Sequence, residues 1–241
     1  MRDKVKNLFI QAFKDYKNVT VRLLLLFSIA AQSKIYVLLN SYRGKVYHIQ
    51  SPVDMLIPFN KYFIVPYIYW YIYLGFIFFY YAVYDEKKYF KLLAGVNLGM
   101  IICFIIYYFY PTYVPRPQVY GEDVFANMVR FIYERDNPYN CFPSIHVLDS
   151  ILFAIYVNRD ETIDLKYKLY SSTISFSIVI STLFVKQHYF YDAVSAAILA
   201  YIMYVAFNFK EIVEFFKSRV LVYIKSSTLM RATLFLKALC Q

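Results

Sequence analysis

The chain has 241 residues, of which 60% are apolar and 22% aromatic, and its mean hydropathy is +0.43. A soluble domain of this length needs more polar surface than these residues supply, so the composition excludes that class. The formal net charge is +10, but the basic residues lie between and beyond long apolar runs. That distribution favours contact with anionic membrane lipids over binding to nucleic acid.

Six apolar segments approach the roughly 20 residues that a helix needs to cross a bilayer. Because a spanning segment must satisfy its own backbone, the sequence predicts an all-α integral membrane protein with six transmembrane helices. No compositional break divides the chain, so we expect one domain over residues 1–241 with a core at about 62–209. In chain order the predicted spans are 19–39, 62–84, 92–110, 144–158, 169–185 and 189–209.

The two ends of the chain mix apolar and basic residues. Residues 1–20 and 211–241 have the composition of amphipathic helices that lie in the membrane plane. Partly disordered basic tails fit the same composition, so both interpretations stay open.

The distribution of Lys and Arg predicts the orientation in the membrane. With a cytoplasmic N-terminus, the inner segments hold 18 of these residues and the outer segments hold seven, while Lys34 lies within the first span. The positive-inside rule therefore places both termini in the cytoplasm. We read no removable signal peptide at the N-terminus. The chain is rich in Lys, Ile, Tyr, Phe and Asn, which indicates an AT-biased genome, and we expect a bacterial inner membrane as its location.

Two of the three histidines lie in contexts that indicate chemistry. His146 ends the sequence Pro-Ser-Ile-His at the outer start of the fourth predicted helix, and His188 precedes the sixth. His188 follows His146 by 42 residues, which accommodates one helical passage across the bilayer and back, so both imidazoles reach the same side. Asp192 follows His188 by one helical turn and can fix the tautomer of its ring.

Further polar residues on the same side complete a set suited to phosphoryl transfer. That reaction needs a nucleophile, a proton donor and groups that stabilise the charge of the phosphate. Ser144 begins a predicted helix, so its hydroxyl and the free backbone N–H groups can bind phosphate oxygens. Arg116 can bind two oxygens in a fork, and Lys186 adds a point charge.

A zinc site formed by His146, His188 and Asp192 is an alternative interpretation. Cations in the same pocket would repel a metal, so we predict neither a metal nor another cofactor. The three cysteines have no metal-binding spacing, and their odd number argues against a disulfide framework.

These motifs resemble those of the type 2 phosphatidic acid phosphatase superfamily, whose pattern is K-x6-R-P, P-S-x-H and S-R-x5-H-x3-D. Arg116 and the following proline match the first motif, residues 143–146 match the second, and Ser181 with His188 and Asp192 matches the third. The resemblance covers most of the chain and implies a six-helix membrane core.

The resemblance also implies roles for individual residues. His188 is expected to be the nucleophile, His146 the general acid and Asp192 the orienting carboxylate, while Arg116 and Ser144 bind phosphate. The chain departs from the pattern at two positions, because Phe109 replaces the lysine of the first motif and Thr182 the arginine of the third. Lys186 is a candidate for the missing charge.

The residues around the two histidines are similar to the branch that contains inositol phosphorylceramide synthases. This likeness leaves open whether the phosphate passes to water or to an alcohol. From the motifs and the roles that they imply, we expect a metal-independent membrane enzyme that hydrolyses a phospholipid or polyprenyl phosphate through a phosphohistidine at the outer leaflet. One alternative is a lipid phosphotransferase that moves a phospho-headgroup onto a ceramide or diacylglycerol-type acceptor. The other is a non-catalytic lipid transporter.

Four further features carry weaker expectations. His48 is expected to have no special role, and Lys34 either extends to the outer headgroups or binds a substrate phosphate. Asp149 lies one turn after His146, where an intramembrane carboxylate indicates function, although a hydrogen bond to a tyrosine is an equal explanation. Residues 51–63 are expected to cover the site.

Overall fold

The structure, a computed structural model, describes residues 10–12 and 14–239, without the side chains of 216 and 218–239. About 74% of the chain is helical, and the described residues contain no strand, only two isolated bridges in the loops. The prediction of an all-α protein is therefore confirmed. The helices are α1 (Tyr16–Leu24), α2 (Phe27–Leu39), α3 (Pro52–Leu56), a 3₁₀ turn (Lys61–Phe63), α4 (Ile64–Tyr84), α5 (Glu86–Phe109), α6 (Val124–Arg135), α7 (Ile145–Arg159), α8 (Leu165–Phe184) and α9 (Phe190–Leu239).

Four helical segments within the described residues are long and apolar enough to cross a membrane. They are Tyr16–Leu39, Lys61–Tyr84, Glu86–Phe109 and Phe190–Phe215. The fourth and fifth predicted spans correspond to α7 and α8, which do not meet that standard. Helix α7 has only 15 residues, and α8 carries two lysines and many serines among its 20 residues. The structure thus confirms four of the six predicted spans by length and composition.

The chain divides into two compact units, residues 1–204 and 205–241. The second unit consists of the later part of α9, and its backbone leaves helical geometry at Asn208 (φ −123°, ψ 17°). The prediction of a single domain stays a prediction. Residues 1–9, 13 and 240–241 lie outside the described residues, so the predicted interfacial helix at the N-terminus is only partly described.

Aromatic side chains fill the interior of the first unit. Tyr67, Tyr81 and Phe78 on α4 are fully buried, as are Tyr89 and Tyr107 on α5. Helix α7 packs along α8, and α4 contacts both of them. The runs of tyrosine and phenylalanine in α4 therefore contribute to packing, as expected of aromatic residues with large buried surfaces.

Helix α7 lies beside α5 over much of its length. At one end, the hydroxyl of Tyr107 donates a hydrogen bond to the carbonyl of Pro143, immediately before α7. At the other end, the ammonium of Lys88 lies 2.9 Å from the carboxylate of Asp160, which follows α7. Because Tyr107 and Lys88 are near opposite ends of the 24-residue helix α5, the shorter α7 connects the same two levels.

Helix α6 lies in a region that the sequence analysis treated as a loop. Its N-cap is Asp123, whose carboxylate accepts hydrogen bonds from the N–H groups of Phe125 and Ala126. Its residue Val129 packs in a buried cluster with Ile64, Tyr67 and Val185. The helix thereby braces the beginning of α4 and the turn that precedes His188.

Candidate active site

The nucleophile predicted from the sequence lies at the start of α9. The Nδ1 atom of His188 is 2.9 Å from the carbonyl oxygen of Cys141 and 3.4 Å from Oδ2 of Asp192. A carbonyl oxygen only accepts hydrogen bonds, so Nδ1 must carry the proton. The lone pair of the neutral imidazole is then on Nε2, as a nucleophilic histidine requires.

Asp192 is fully buried directly behind His188. Its Oδ2 atom accepts a hydrogen bond from the N–H of Tyr189 at 2.8 Å, which caps the first turn of α9. Among the described residues, its Oδ1 atom has no hydrogen-bond partner. The carboxylate therefore holds the backbone around His188 and lies close to the ring, while the shorter ring contact is the one to Cys141.

His146 lies close to His188, as predicted from the helical passage across the bilayer and back that connects them. The centroids of the two imidazole rings are 6.3 Å apart, which is close enough for one phosphoryl group to contact both. The ring of His146 is held between Tyr67, stacked at 4.5 Å, and Trp70 at 4.4 Å. Its Nε2 atom has no hydrogen-bond partner among the described residues, so it is available to a bound molecule.

Ser144 connects the starts of the two helices that carry the histidines. Its hydroxyl accepts a hydrogen bond from the N–H of Val147 at 3.4 Å and caps α7. Its own N–H donates to the backbone carbonyl of Asp192 at 3.2 Å. The residue is fully buried, and its predicted contact with phosphate stays a prediction.

Arg116 lies at the edge of the same region, in the loop between α5 and α6. Its Nη2 atom donates to the carbonyls of Asp136 and Asn137 at 3.3 and 3.4 Å, and its guanidinium lies 4.5 Å from the centroid of Tyr133. Within the described residues, Nε and Nη1 are buried without a partner. Buried N–H donors of a cation can bind an anion, because leaving them unsatisfied is costly; the predicted contact of Arg116 with phosphate stays a prediction.

The pKa of the Cys141 thiol is affected by burial and by charged groups nearby. Burial raises its pKa well above the ordinary value, and the nearby carboxylate of Asp192 raises it further, while Arg116 acts in the opposite direction. Arg116 and Asp192 are thus both within electrostatic range of the residue whose carbonyl holds His188.

Lys186 makes two contacts that the sequence did not predict, while its predicted contact with phosphate stays a prediction. Its ammonium donates to the carbonyl of Ile57 and to that of Asp54 at 3.3 Å. Burial lowers the pKa of its amine below the ordinary value. Two of its three donors are used by the segment around α3, so the contacts indicate that Lys186 fixes that segment beside the site.

The segment around α3 is attached to the active-site end of α9 by a second residue. Asp54 accepts hydrogen bonds from the N–H and hydroxyl of Ser51 through Oδ2, each at 2.7 Å. Its Oδ1 accepts one from the N–H of Phe190, also at 2.7 Å. These contacts agree with the expectation that residues 51–63 cover the site, although Met55 and Leu56 at the tip are 78% and 81% exposed.

The two departures from the family pattern leave no charge at their positions. Phe109 is 75% exposed at the end of α5, and the hydroxyl of Thr182 donates to the carbonyl of Val179. The carbonyl of Thr182 accepts the N–H groups of Gln187 and His188 at 3.0 and 3.1 Å and so fixes the turn that leads into His188.

Gln187, immediately before His188 in the chain, is a buried polar residue to which the sequence analysis gave no role. Its side chain is 2% exposed, and its Nε2 atom has no hydrogen-bond partner among the described residues. Its position immediately before His188 was visible in the sequence, but a glutamine has no pattern of its own.

The residues with weaker expectations lie apart from these contacts. His48 is exposed, and its ring contacts the edge of the Tyr113 ring. Lys34 is exposed on α2. Asp149 is fully buried with both carboxylate oxygens unpartnered among the described residues. Among the residues that the structure describes, no group of three His, Cys, Asp or Glu side chains is arranged to hold a metal ion.

Comparison with known proteins gave one match. A family model described as PAP2 superfamily matches residues 54–206, which includes both histidines and the loop that carries Arg116. No curated protein and no solved structure matched the chain.

Proposed function

The chain belongs to the PAP2 superfamily, and on that premise we propose that it hydrolyses a lipid phosphate through a phosphohistidine on His188. Membership supports an enzyme with phosphatase-type activity on lipid phosphates. The observation that carries the mechanism is the contact between Nδ1 of His188 and the Cys141 carbonyl, which leaves Nε2 free to attack. The substrate classes that we propose are phospholipid and polyprenyl phosphates.

The proposed reaction has two steps. Nε2 of His188 forms a bond to phosphorus as the bond from phosphorus to the lipid oxygen breaks, and His146 gives a proton to that oxygen. Water then attacks the phosphohistidine, His146 takes a proton from the water, and the nitrogen–phosphorus bond breaks to release inorganic phosphate. Arg116, with Ser144 and the N-terminus of α7, stabilises the negative charge on the phosphoryl oxygens in both steps. The mechanism uses no metal, so a chelator should leave turnover unchanged.

We also propose that six helices cross the membrane, with both termini in the cytoplasm and the site at the outer leaflet of a bacterial inner membrane. The contacts of α7 with both ends of α5, through Pro143 and Asp160, support a full passage by α7. Helix α8 must then return, since its last residue Phe184 stacks on Phe63 at the beginning of α4. The two helices that lack the length or apolarity of a span are packed against α4, α5 and each other.

A substrate with a hydrocarbon tail is supported by an apolar groove between α4 and α8. The groove has a volume of about 540 Å³ and contains Phe63, Pro66 and Ile174 in its lining. Phe63, which lines this groove, packs against the buried cluster that includes Tyr67. The ring of Tyr67 stacks on His146. We propose that the tail lies along this groove while the phosphate reaches the histidines.

Charge at the site favours a second candidate, a lipid phosphotransferase. A phosphate monoester carries about 1.5 to 2 negative charges at pH 7, whereas a phosphodiester carries one. Here Phe109 and Thr182 stand where the family pattern has cations, and the ammonium of Lys186 is bound to two carbonyls. Weak neutralisation suits a diester, whose headgroup would pass to a ceramide or diacylglycerol-type alcohol in place of water.

Trapping of the covalent intermediate tests the proposed function. Purified protein is incubated with phosphatidic acid, a polyprenyl phosphate or a phosphodiester lipid and quenched, and the peptide containing His188 is examined by mass spectrometry. We expect an acid-labile adduct on His188 that is absent from His188→Ala, while His48→Ala forms it normally. Free phosphate indicates hydrolysis, and a new phospholipid indicates transfer.

Two outcomes would contradict the proposal. Turnover by His188→Ala at the wild-type rate would show that His188 is not the nucleophile. A folded wild-type protein that binds these lipids but forms neither adduct nor product would favour the non-catalytic transporter.

A further inference from the structure

The end of α2 is attached to the loop that follows α6. The hydroxyl of Tyr36 and the amide of Asn40 each donate a hydrogen bond of 2.7 Å to the same oxygen, Oδ1 of Asp136. Tyr36 and Asn40 precede the residues that match the family model. A single carboxylate oxygen therefore joins this additional helix to the loop that leads to the active site.

Two further hydrogen bonds strengthen the same attachment. The amide of Asn137 donates to the carbonyl of Asn40 at 2.8 Å, and the amide of Asn140 donates to the carbonyl of Tyr36 at 3.3 Å. Asn140 is buried and has a positive φ of 56°, a conformation that few residues other than glycine and asparagine adopt readily. The loop is thus held to the end of α2 over residues 136–140.

The backbone of this loop makes the contacts that hold two active-site residues. Its carbonyls at Asp136 and Asn137 accept hydrogen bonds from Arg116. Its carbonyl at Cys141 accepts the Nδ1 proton of His188. Displacement of the loop would therefore move the anion-binding guanidinium and remove the acceptor that selects the tautomer of the nucleophile.

The loop has a second attachment close to Cys141. The hydroxyl of Thr112 accepts the N–H groups of Cys141 and Phe142 at 3.1 and 3.0 Å. This contact fixes the last part of the loop, whereas Asp136 fixes its first part, where Arg116 is bound. Both attachments hold the same loop, and the one through Asp136 is made by the side chains of Tyr36 and Asn40 at the end of α2.

We propose that Asp136, together with Tyr36 and Asn40, is a positioning residue for Arg116 and for the tautomer of His188. The inference rests on the proposed function in that it assigns these two residues to phosphoryl transfer. A misplacement of about 1 Å in such a site can reduce the rate of reaction by about 100-fold. Loss of the Asp136 contacts should lower kcat more than it changes KM, because it affects the nucleophile as well as the binding of phosphate.

Kinetic comparison of matched variants gives the first test. Asp136→Ala should reduce kcat at least about tenfold, and Tyr36→Phe should reduce it less because Asn40 still binds the carboxylate. Asp136→Asn keeps an acceptor oxygen and should retain most of the activity. Tyr42→Phe is the control and should behave as wild type, because the hydroxyl of Tyr42 donates to the carbonyl of Gly44 and not to Asp136.

Nuclear magnetic resonance of protein labelled with ¹⁵N in histidine gives a second test that needs no substrate. The signals of His188, assigned by their loss in His188→Ala, should show the Nδ1-protonated form in the wild type and a mixture of tautomers in Asp136→Ala. If Asp136→Ala does not fold, the isosteric Tyr36→Phe should show the same change to a smaller extent.

The outcomes separate this inference from the proposed function. Lower thermal stability with unchanged kcat, KM and histidine tautomer in Asp136→Ala or Tyr36→Phe would show a structural role alone and overturn the inference. Absence of an adduct in the wild type would overturn the proposed function, while the tautomer measurement would still decide whether Asp136 positions His188.

Discussion

At the scale of single residues, Nδ1 of His188 has two acceptors near it. Oδ2 of Asp192 is 3.4 Å away, and the backbone carbonyl oxygen of Cys141 is closer, at 2.9 Å. The spacing of His188 and Asp192 in the sequence predicted the first of these contacts and not the second. A backbone carbonyl leaves no mark in a sequence, because every residue has one, so only the fold of the loop could identify it.

The assignment of Lys186 failed to anticipate its contacts for a similar reason. A lysine two residues before a nucleophile is a reasonable ligand for phosphate, but its long side chain can reach several groups. In the structure it turns to the carbonyls of Asp54 and Ile57. The partners lie about 130 residues earlier in the chain, and no local pattern connects them to Lys186.

Substitution of Arg116 by lysine tests the proposed anion site. Lysine keeps the charge but lacks the two N–H donors, on Nε and Nη1, that are buried and unpaired in the structure. We expect kcat/KM for a lipid phosphate to fall by about 100-fold, the usual effect of removing a donor aimed at a developing charge. Steady-state kinetics with a defined lipid in detergent micelles measures this change.

Arg130→Lys is the matched control for this experiment. Arg130 is an arginine of α6 whose guanidinium contacts Val119 and Asn127. It should change kcat/KM by no more than about twofold, because partly exposed polar contacts contribute little. Full activity of Arg116→Lys would show that the guanidinium does not touch the substrate.

At the scale of helices, the long apolar elements were predicted best. The predicted second and sixth spans begin within a residue of the helical segments Lys61–Tyr84 and Phe190–Phe215. Helix α6 was not predicted, because its 12 residues are too few to cross a bilayer and the predicted helices rested on long apolar segments. Its signal was present in the sequence, since Asp123 is a good N-cap and Phe125, Met128 and Ile132 recur at helical spacing.

The close packing of α5 on α7 leads to a prediction about stability. A methyl group added at Gly99 would lie 2.8 Å from Cδ2 of Leu148, which is fully buried two residues after His146. Gly99→Ala should therefore lower the free energy of unfolding by about 1–3 kcal/mol, the usual cost of overpacking. Thermal unfolding in detergent, followed by circular dichroism, measures the effect.

Gly75→Ala provides the control on α4. No atom lies within 4 Å of a methyl group added there, and alanine favours a helix more than glycine does. The variant should be as stable as wild type or slightly more stable. Equal stability of the two variants would mean that α5 and α7 do not approach as closely as the structure shows.

At the scale of the whole molecule, the number of membrane crossings decides where the site lies. Length and apolarity identify four spans, and α7 and α8 together decide whether there are six. Sequence cannot settle this point, because a helix that is covered by other helices does not need an apolar surface on every side. The ion pair of Asp160 with Lys88, near the beginning of α5, supports passage of α7 to the inner side.

Labelling of single cysteines distinguishes four crossings from six. Glu122→Cys lies before α6 and Glu161→Cys lies in the turn between α7 and α8; both positions are exposed. The experiment uses a Cys240→Ser background, since Cys103 and Cys141 are buried. With six crossings the two positions lie on opposite sides of the membrane. With four they share the outer side, because residues 110–189 then cross nowhere.

We expect an impermeant maleimide to label Glu122→Cys in intact cells and Glu161→Cys only after the membrane is opened. Labelling of both positions in intact cells would show that α7 and α8 do not cross. Labelling of Glu161→Cys alone would reverse the orientation predicted from the 18 inner and seven outer basic residues. The histidines would then face the cytoplasm, and the lipid phosphate would have to be presented from the inner leaflet.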